Sequence, residues 1–444
     1  MKIFSLITET CTLAFCLLLS LNSFSADLLY VYKQAEKNDQ EYMQELATHR
    51  AALEARPQAI SQLLPSINLS ADTTHNDQDI SASGAAVGSS GEVSFNSRGY
   101  RLSATQPLFR RDRFIALEQS DSEIKQAEAV LAEAQQELII RIAERYFEIL
   151  AQIDNLEFAK SEVKSLSRQL EQANQRFEVG LSAITDVHEA QAGYDLAVAQ
   201  EIQALNAIDN AQEAIRELTG EYITDFDKLG STMPLVRPEP EAIESWTQLS
   251  LDQNLGVIAS RHAAETARKE VKRQSAGHYP TLDLVASETY GSTGGRFGST
   301  KQHSTAVGLE LNIPIYSGGS VNSQTREAHE NYNISMYGLE RARRSAQRLT
   351  REAYLGVISG ISQVKALKQA VVSSETALEA TEAGFEVGTR TAVDVVASQR
   401  ATSEARRNYS QAKYNYILDT LSLKQAAGTL STEDLKIINA WLVK

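Results

Sequence analysis

The chain is poor in the residues that break or cross-link structure. Among its 444 residues there are eight prolines and two cysteines. The prolines stand at Pro57, Pro65, Pro107, Pro234, Pro238, Pro240, Pro280 and Pro314, so Leu108 to Met233 and Ile315 to Lys444 have none. A helix interior tolerates proline least, and both stretches are therefore free to form very long helices. Cys11 and Cys16 both fall in the first 26 residues. A chain that loses that segment has no disulfide and no thiolate metal site. Basic clusters are missing too: 43 Lys and Arg against 57 Asp and Glu give a formal net charge of −14. No basic run is long enough to track a phosphate backbone, which excludes nucleic acid as a partner.

Catalytic and metal signatures are equally scarce. The seven histidines, His49, His75, His188, His262, His278, His303 and His329, are scattered without metal-ligand spacing. There is no nucleophile elbow, no P-loop and no strand followed by GxGxxG. Gly294, Gly295 and Gly298 fit turn chemistry in a surface loop. The expectation is a protein that is not an enzyme, with no cofactor and no metal.

The N-terminus, MKIFSLITETCTLAFCLLLSLNSFSA, has a sparse basic end at Lys2, an apolar core from Leu13 to Leu21, and small residues Ser23, Ser25 and Ala26 before Asp27. This is the pattern of a secretory signal peptide over residues 1–26. Its apolar core is about half the ~20 residues that a spanning helix needs. Phe15 stands before Cys16 where a lipidation site would have a small residue. No other apolar run is long enough to span a membrane as a helix.

What the chain does contain is a duplication. FEVGLSAITDVHEAQ, Phe177 to Gln191, returns as FEVGTRTAVDVVASQ, Phe385 to Gln399, at an offset of 208 positions, the difference between 388 and 180. The offset also pairs Tyr146 with Tyr354, Asp186 with Asp394 and Gly220 with Gly428. Earlier segments match with slippage: LPSINL around Pro65 pairs with YPTLDL around Pro280, and QPLF around Pro107 with IPIY around Pro314. Insertions therefore collect between strands, where loops tolerate them.

Each half has the same order. A helix of about 30 residues, starting near Leu28 or Glu241, precedes a strand hairpin predicted at about 66–107 or 280–315. Alternating apolar residues mark the strands: Ile67, Leu69 and Ala71, then Tyr100, Leu102 and Ala104, in one copy; Leu282, Leu284 and Ala286, then Val307, Leu309, Leu311 and Ile313, in the other. Polar loops such as Asn76 to Gly91 and Gly291 to Ser299 join them. The period then changes to steps of three and four, through Ala127, Leu131, Ala134, Leu138, Ile142, Tyr146, Ile149 and Ile153 and on to Phe177. A continuous helix from about Arg113 to Val179 would be a rod of roughly 100 Å at ~1.5 Å per residue. Gly180 and Gly388 suit helix C-caps, and Thr185 with Asp186, and Thr391 with Asp394, suit the start of a return helix. The chain is thus α+β, mainly α, with an internal two-fold repeat: residues 27–230, then 231–430, then a tail at 431–444. Four strands cannot close a membrane sheet alone, so several copies must combine, and three would supply twelve strands.

VGLSAITDV together with VGTRTAVDV resembles the TolC family of outer-membrane efflux and secretion channels. The likeness extends over essentially the whole chain after the leader. It implies a homotrimer whose 12-stranded outer-membrane β-barrel, set in outer-membrane lipid, is continuous with a long periplasmic α-helical coiled-coil barrel. The tail would belong to an equatorial region. It further implies docking to a periplasmic adaptor, or membrane fusion, protein and to an inner-membrane pump, either proton-driven or an ABC exporter. The cargo would be small toxic compounds, type I secreted proteins, or both. A soluble periplasmic coiled-coil scaffold with no pore is the alternative, and it leaves the alternating hairpins without a use.

By the same resemblance the docking tips comprise Val179, Gly180, Leu181, Val387, Gly388 and Thr389. A gate latch would link Thr185 and Asp186 to Arg390, whose planar fork can bond a carboxylate and a hydroxyl together. A single exposed ion pair is worth only ~0–1 kcal/mol, enough for a reversible latch if repeated around a trimer. Phe385 stands where the family has a latch tyrosine. Asp394 falls on the first of two inward-facing constriction positions, and the second is Ala397, so a trimer would carry three carboxylates there instead of six. Arg390 has Ser182 as its counterpart in the first copy.

Overall fold

The computed structural model describes residues 25–81, 91–230, 233–295 and 298–443. The expected signal peptide up to Phe24, with both cysteines, lies outside the described residues. Of the polar loops expected at Asn76 to Gly91 and Gly291 to Ser299, residues 76–80 and 291–293 are strand instead, held by ladder pairing, and residues 82–90 and 296–297 lie outside the described residues. In chain order, α1 (Leu28–Asn38), α2 (Gln40–Leu53) and α3 (Ala55–Ser61) lead to β1 (Ser66–Ile80) and β2 (Gly91–Phe109). The long helix α4 (Arg111–Glu178) and its return α5 (Ile184–Thr219) follow, then β3 (Lys228–Leu229). The order recurs with α6 (Ile243–Gln253), α7 (Leu255–Ser275), β4 (Thr281–Thr293), β5 (Thr300–Asn312), α8 (Ser320–Glu386) and α9 (Ala392–Ala426). The chain closes with α10 (Thr432–Asn439) and β6 (Leu442–Val443), which pairs with β3.

The first helix of each half is broken where a single helix was expected. Asp39 and Asn254 take extended backbone, with ψ of 117° and 125°. No proline announces either break, and a glycine, Gly256, stands near the second alone; side-chain bonds hold them. Asp39 accepts from the Tyr42 amide and from both arms of Arg141, at 2.9 and 3.0 Å. Asn254 Nδ2 donates to the Ala426 carbonyl at 3.0 Å.

The chain divides into two compact units, and each draws on both repeats. One contains the residues up to Leu46, Ala132–Leu255 and Arg344–Lys444; the other contains Ala47–Leu131 and Gly256–Arg343. In the first unit the core is built on one face of α4, where Leu138, Ile142, Tyr146, Phe147 and Leu150 meet Leu28, Val31 and Tyr32 of α1, Ile215 of α5 and Tyr414, Ile417 and Leu421 of α9. Each fully buried aliphatic or aromatic side chain there is worth ~1.5–3 kcal/mol. The rings of Phe147 and Tyr414 stack at 5.6 Å. The Tyr146 hydroxyl shares its proton between the carbonyls of Ala26 and Asp227, at 3.1 and 2.9 Å, and burial pushes its pKa well above the ordinary phenol value. Its repeat mate Tyr354 donates to the Glu241 carbonyl. Both tyrosines thus hold the segment that enters the first helix of a half.

The second unit contains an antiparallel sheet in the order β1-β2-β4-β5, so the two hairpins join through β2 and β4 and leave β1 and β5 as edges. Register places Ile67, Leu69 and Ala71 beside Ala104, Leu102 and Tyr100, and these beside Ala286, Glu288 and Tyr290. Leu284, Ala286 and Tyr290 in turn face Leu309, Val307 and His303. The other face carries Asn68, Ser70, Arg101, Ser103, Ser287, Thr289 and Ser304 in adjoining rows. The apolar face is bare within one chain, with Ile67 70% and Leu309 66% exposed. Arg110 closes the sheet's helical end with a bidentate bond to Asp283, at 3.1 and 2.5 Å. Among the described residues no helix is long and apolar enough to cross a membrane.

Candidate functional site: the paired helix tips

At the end of α4 the chain reverses at Gly180, with φ of +76°. The Gly180 amide donates to the Phe177 carbonyl at 2.9 Å and the Leu181 amide to the Arg176 carbonyl at 2.8 Å. At the end of α8, Gly388 has φ of +79°, and the amides of Gly388 and Thr389 donate to Phe385 and Gly384 at 3.1 and 2.8 Å. Both are the paired 6→1 and 5→2 bonds of a Schellman stop, which needs a left-handed residue that glycine adopts without strain. The stops project apolar side chains into the open: Val179 is 69% exposed, Leu181 77% and Val387 76%.

The return helices start differently. In the second copy Thr391 is the N-cap: its hydroxyl accepts from the Asp394 amide, while Asp394 Oδ2 accepts from the Thr391 amide at 2.9 Å and hydroxyl at 3.0 Å, a complete capping box. These bonds, backbone first, hold the Asp394 pKa below the ordinary carboxylate value. In the first copy the cap position is Ala183, which has no side-chain acceptor, and Thr185 sits inside the helix. Asp186 occupies the same register as Asp394 without that cap partner.

Between the tips, Arg176 reaches from α4 to α8. Its guanidinium carbon lies 4.5 Å from the centroid of the Phe385 ring, and Nη1 donates to the Phe385 carbonyl at 3.5 Å. A pocket of about 380 Å³ opens here, lined by Gln172, Gln175, Arg176, Val179, Phe385 and Glu386. Arg176 was not among the sequence candidates. The duplication carries a signal for it: at the offset of 208, Arg176 falls on Gly384 and Arg390 on Ser182. In the second copy a Cβ on Gly384 would lie 2.7 Å from Cγ of Arg390, so the glycine makes room for that arginine. The large cation has changed arms of the turn between copies. Among the described residues, no hydrogen bond or ion pair joins Arg390 to Thr185 or Asp186 within one chain. Behind the tips, Leu166 of α4, Ala197 of α5 and Val396 of α9 form a small buried cluster, and Ser165 Oγ donates to Gln399 Oε1 at 3.3 Å. No group of His, Cys, Asp and Glu capable of holding a metal ion occurs among the described residues.

A bare apolar sheet face, two open sheet edges and two long helical returns with matched tips define the class: an outer-membrane channel of the strand-and-helix type. Known proteins agree. The model of the family described as outer membrane efflux protein matches residues 31–221 and 246–429. Outer membrane protein TolC of Vibrio cholerae serotype O1 is 37% identical over 423 residues, 94% of each chain. TolC of Escherichia coli strain K12 is 34% identical over 96% of this chain and 88% of that one. Alkaline protease secretion protein AprF of Pseudomonas aeruginosa is 29% identical over 96% and 89%. Among solved structures, the Campylobacter jejuni CmeC outer membrane channel superposes with a TM-score of 0.78 at 16% identity, covering 95% of this chain and 91% of that chain. The chain belongs to the outer membrane efflux protein family, as an outer-membrane channel of the TolC type.

Proposed function

We propose that three copies of the chain close their sheets edge to edge into one barrel and form an export duct across the outer membrane. The observation that carries this is the four-stranded sheet itself. Among the described residues its β1 and β5 edges have no partner strand, and its apolar face is exposed. In hydrocarbon each unpaired backbone group costs several kcal/mol, so such a sheet is stable only when edges meet edges. The two repeats, 27–230 and 231–430, would then place two helix tips per copy at the periplasmic end. Val179, Leu181 and Val387 offer a periplasmic adaptor protein an apolar foothold flanked by glycine stops.

Among the described residues no bond joins Thr185 or Asp186 to Arg390, so the bonds of a latch built from them would run between neighbouring copies. Asp394 would line the constriction. The sequence pattern sets the leader at residues 1–26; cleavage one residue earlier, ahead of Ala26, would preserve the buried Ala26 carbonyl that Tyr146 binds. Relatives named for protease secretion and for efflux make both protein and small-molecule cargo candidates, energised by a proton-driven pump or an ABC exporter.

Outer-membrane fractions should contain heat-resistant trimers that conduct in planar bilayers. Shortening both tips should abolish export while conductance persists. Export that survives loss of both tips would refute the docked duct, and a chain found only as a soluble periplasmic species would favour the scaffold reading.

A further inference from the structure

The bare face of the sheet has a graded composition along the strands. Starting at the helical end, the rows are Leu282 with Leu311, Leu284 with Leu309, Ala286 with Val307, then Glu288 beside Leu102 and Leu69. Next comes an aromatic row, where Tyr100 and Tyr290 stack at 5.6 Å with His303 alongside. From Leu282 to Tyr290 the strand advances ~26 Å at ~3.3 Å per residue. At the usual barrel tilt of ~35–45° this rises ~20 Å, most of the ~25 Å apolar band of an outer-membrane barrel, and the tyrosines fall where an aromatic girdle belongs. The acid inside the band is bonded: Glu288 Oε1 lies 3.0 Å from His303 Nε2.

One row further, ~7 Å along the strand and away from the helices, the face changes sign. Thr73, Arg98, Ser292 and Lys301 lie side by side in register across all four strands. Arg98 and Lys301 are both exposed, and neither has an ion-pair partner among the described residues. They are two strands apart, ~10 Å, with the Ser292 hydroxyl between them. Nearby Asp72 is on the opposite face, in register with Gly99. In a protein of net charge −14, two unpaired cations and two hydroxyls directly beyond an aromatic girdle form a local exception.

We infer that this row, Thr73, Arg98, Ser292 and Lys301, binds the phosphate of an anionic lipid headgroup in the outer leaflet, with the acyl chains lying on the apolar rows below. The inference rests on the channel reading, which sets the loop end of the sheet at the outer surface. Arginine supplies a planar fork for two phosphate oxygens, lysine a compact second charge, and serine a hydroxyl donor. The tyrosines mark the depth at which the headgroup begins. A lipid fits better than free phosphate because the cradle is open on its apolar side and continuous with the belt that acyl chains must cover.

The test uses the full-length protein purified from outer membranes, with lipid retention read by native mass spectrometry. The probes are lipid A, a diphosphorylated glycolipid, and phosphatidylcholine as a zwitterionic control. A basic residue near an anionic lipid surface contributes ~5-fold in affinity, so the Arg98→Gln/Lys301→Gln double variant should retain lipid A ~30-fold more weakly. Phosphatidylcholine should bind both proteins alike, which also reports that the barrel is intact. Arg101→Gln, on the opposite face, should keep wild-type lipid A retention. Equal lipid A retention by wild type and double variant overturns the inference. So does a parallel loss of phosphatidylcholine, or displacement of lipid A by micromolar inorganic phosphate. Bilayer conductance of the wild-type protein is measured beside these. Its absence would overturn the channel reading alone, since lipid retention is scored on the purified protein.

Discussion

Arg176 and Phe385 lie on different halves of the duplication, yet the Arg176 guanidinium carbon sits 4.5 Å from the centre of the Phe385 ring. The contact ties the end of α4 to the end of α8 at the position where the family resemblance leads one to expect a tyrosine latch. A cation over an aromatic face is worth ~0.5–1 kcal/mol when exposed and ~2 when desolvated. The ring alone can therefore hold part of what a hydroxyl bond would.

Removing that contact should open the tips. Arg176→Gln and Phe385→Ala are each expected to increase open-channel conductance or open time in planar bilayers by a few-fold, while Phe385→Tyr keeps the ring and stays near wild type. Wild-type recordings from Arg176→Gln would show that the contact does not restrain the gate.

The unequal helix starts give an opposed pair of outcomes. Thr391→Ala removes half of a capping box and should cost about 1 kcal/mol, visible as a lower denaturation midpoint. Ala183→Thr should build the missing box with Asp186 and raise the midpoint. It should also draw Asp186 away from the Arg390 that we propose as its partner in a neighbouring copy, so that the variant is both more stable and more readily open.

At the stops themselves, Gly180→Ala and Gly388→Ala should each cost ~1–2 kcal/mol, because a Cβ is strained at positive φ. Nothing lies within 4 Å of a Cβ at either position, so the cost is confined to the backbone. Trimer yield should hold and export should fall. Unchanged export in both variants would argue against these turns as the docking point.

With Asp394 at the constriction, as proposed, one carboxylate per copy should leave the pore cation-preferring but weakly blocked by trivalent cations, as charged rings generally dictate. Ala397→Asp should increase the block measured in planar bilayers. Equal sensitivity of the two proteins would count against Asp394 as a ring residue.

A pH effect is expected away from the tips. A cavity of about 540 Å³ is lined by Glu133, Glu352, Gly356 and Asp419 among others. Burial pushes the Asp419 carboxyl up, and burial followed by the Glu137 charge does the same to Glu133. The folded chain therefore holds these protons more tightly than the unfolded chain. Their contribution favours folding below the unfolded carboxylate pKa and is lost as pH rises through the raised folded values. Asp419→Asn should be more stable than wild type at neutral pH and level with it in acid. Melting curves at the two pH values check both sign and window.

The legible features were those that local rules impose. The proline gaps and the three-and-four spacing delimited α4 to within about two residues, and for α8 they marked the stop near Gly388 but not the start at Ser320, because helix extent depends on neighbours in sequence. Gly180 and Gly388 were readable as stops for the same reason, and the strands followed from alternation. Less legible were the breaks at Asp39 and Asn254. Their cause is a set of bonds to Arg141 and Ala426, more than 100 positions away in each case.

Arg176 shows where local reading stops. Its identity, and its register opposite Gly384, are plain in the chain; its place over a ring 209 positions distant is not. The same holds for the sheet, where alternation marks four strands but only the β2 to β4 pairing joins two hairpins and creates the apolar face with its cationic row. Repeat, rods and stops thus belong to the chain alone, because short-range sterics and hydrogen bonding determine them. Strand order, the Arg176 contact and the mixing of both repeats in each compact unit belong to the fold, because they depend on which distant surfaces bury one another.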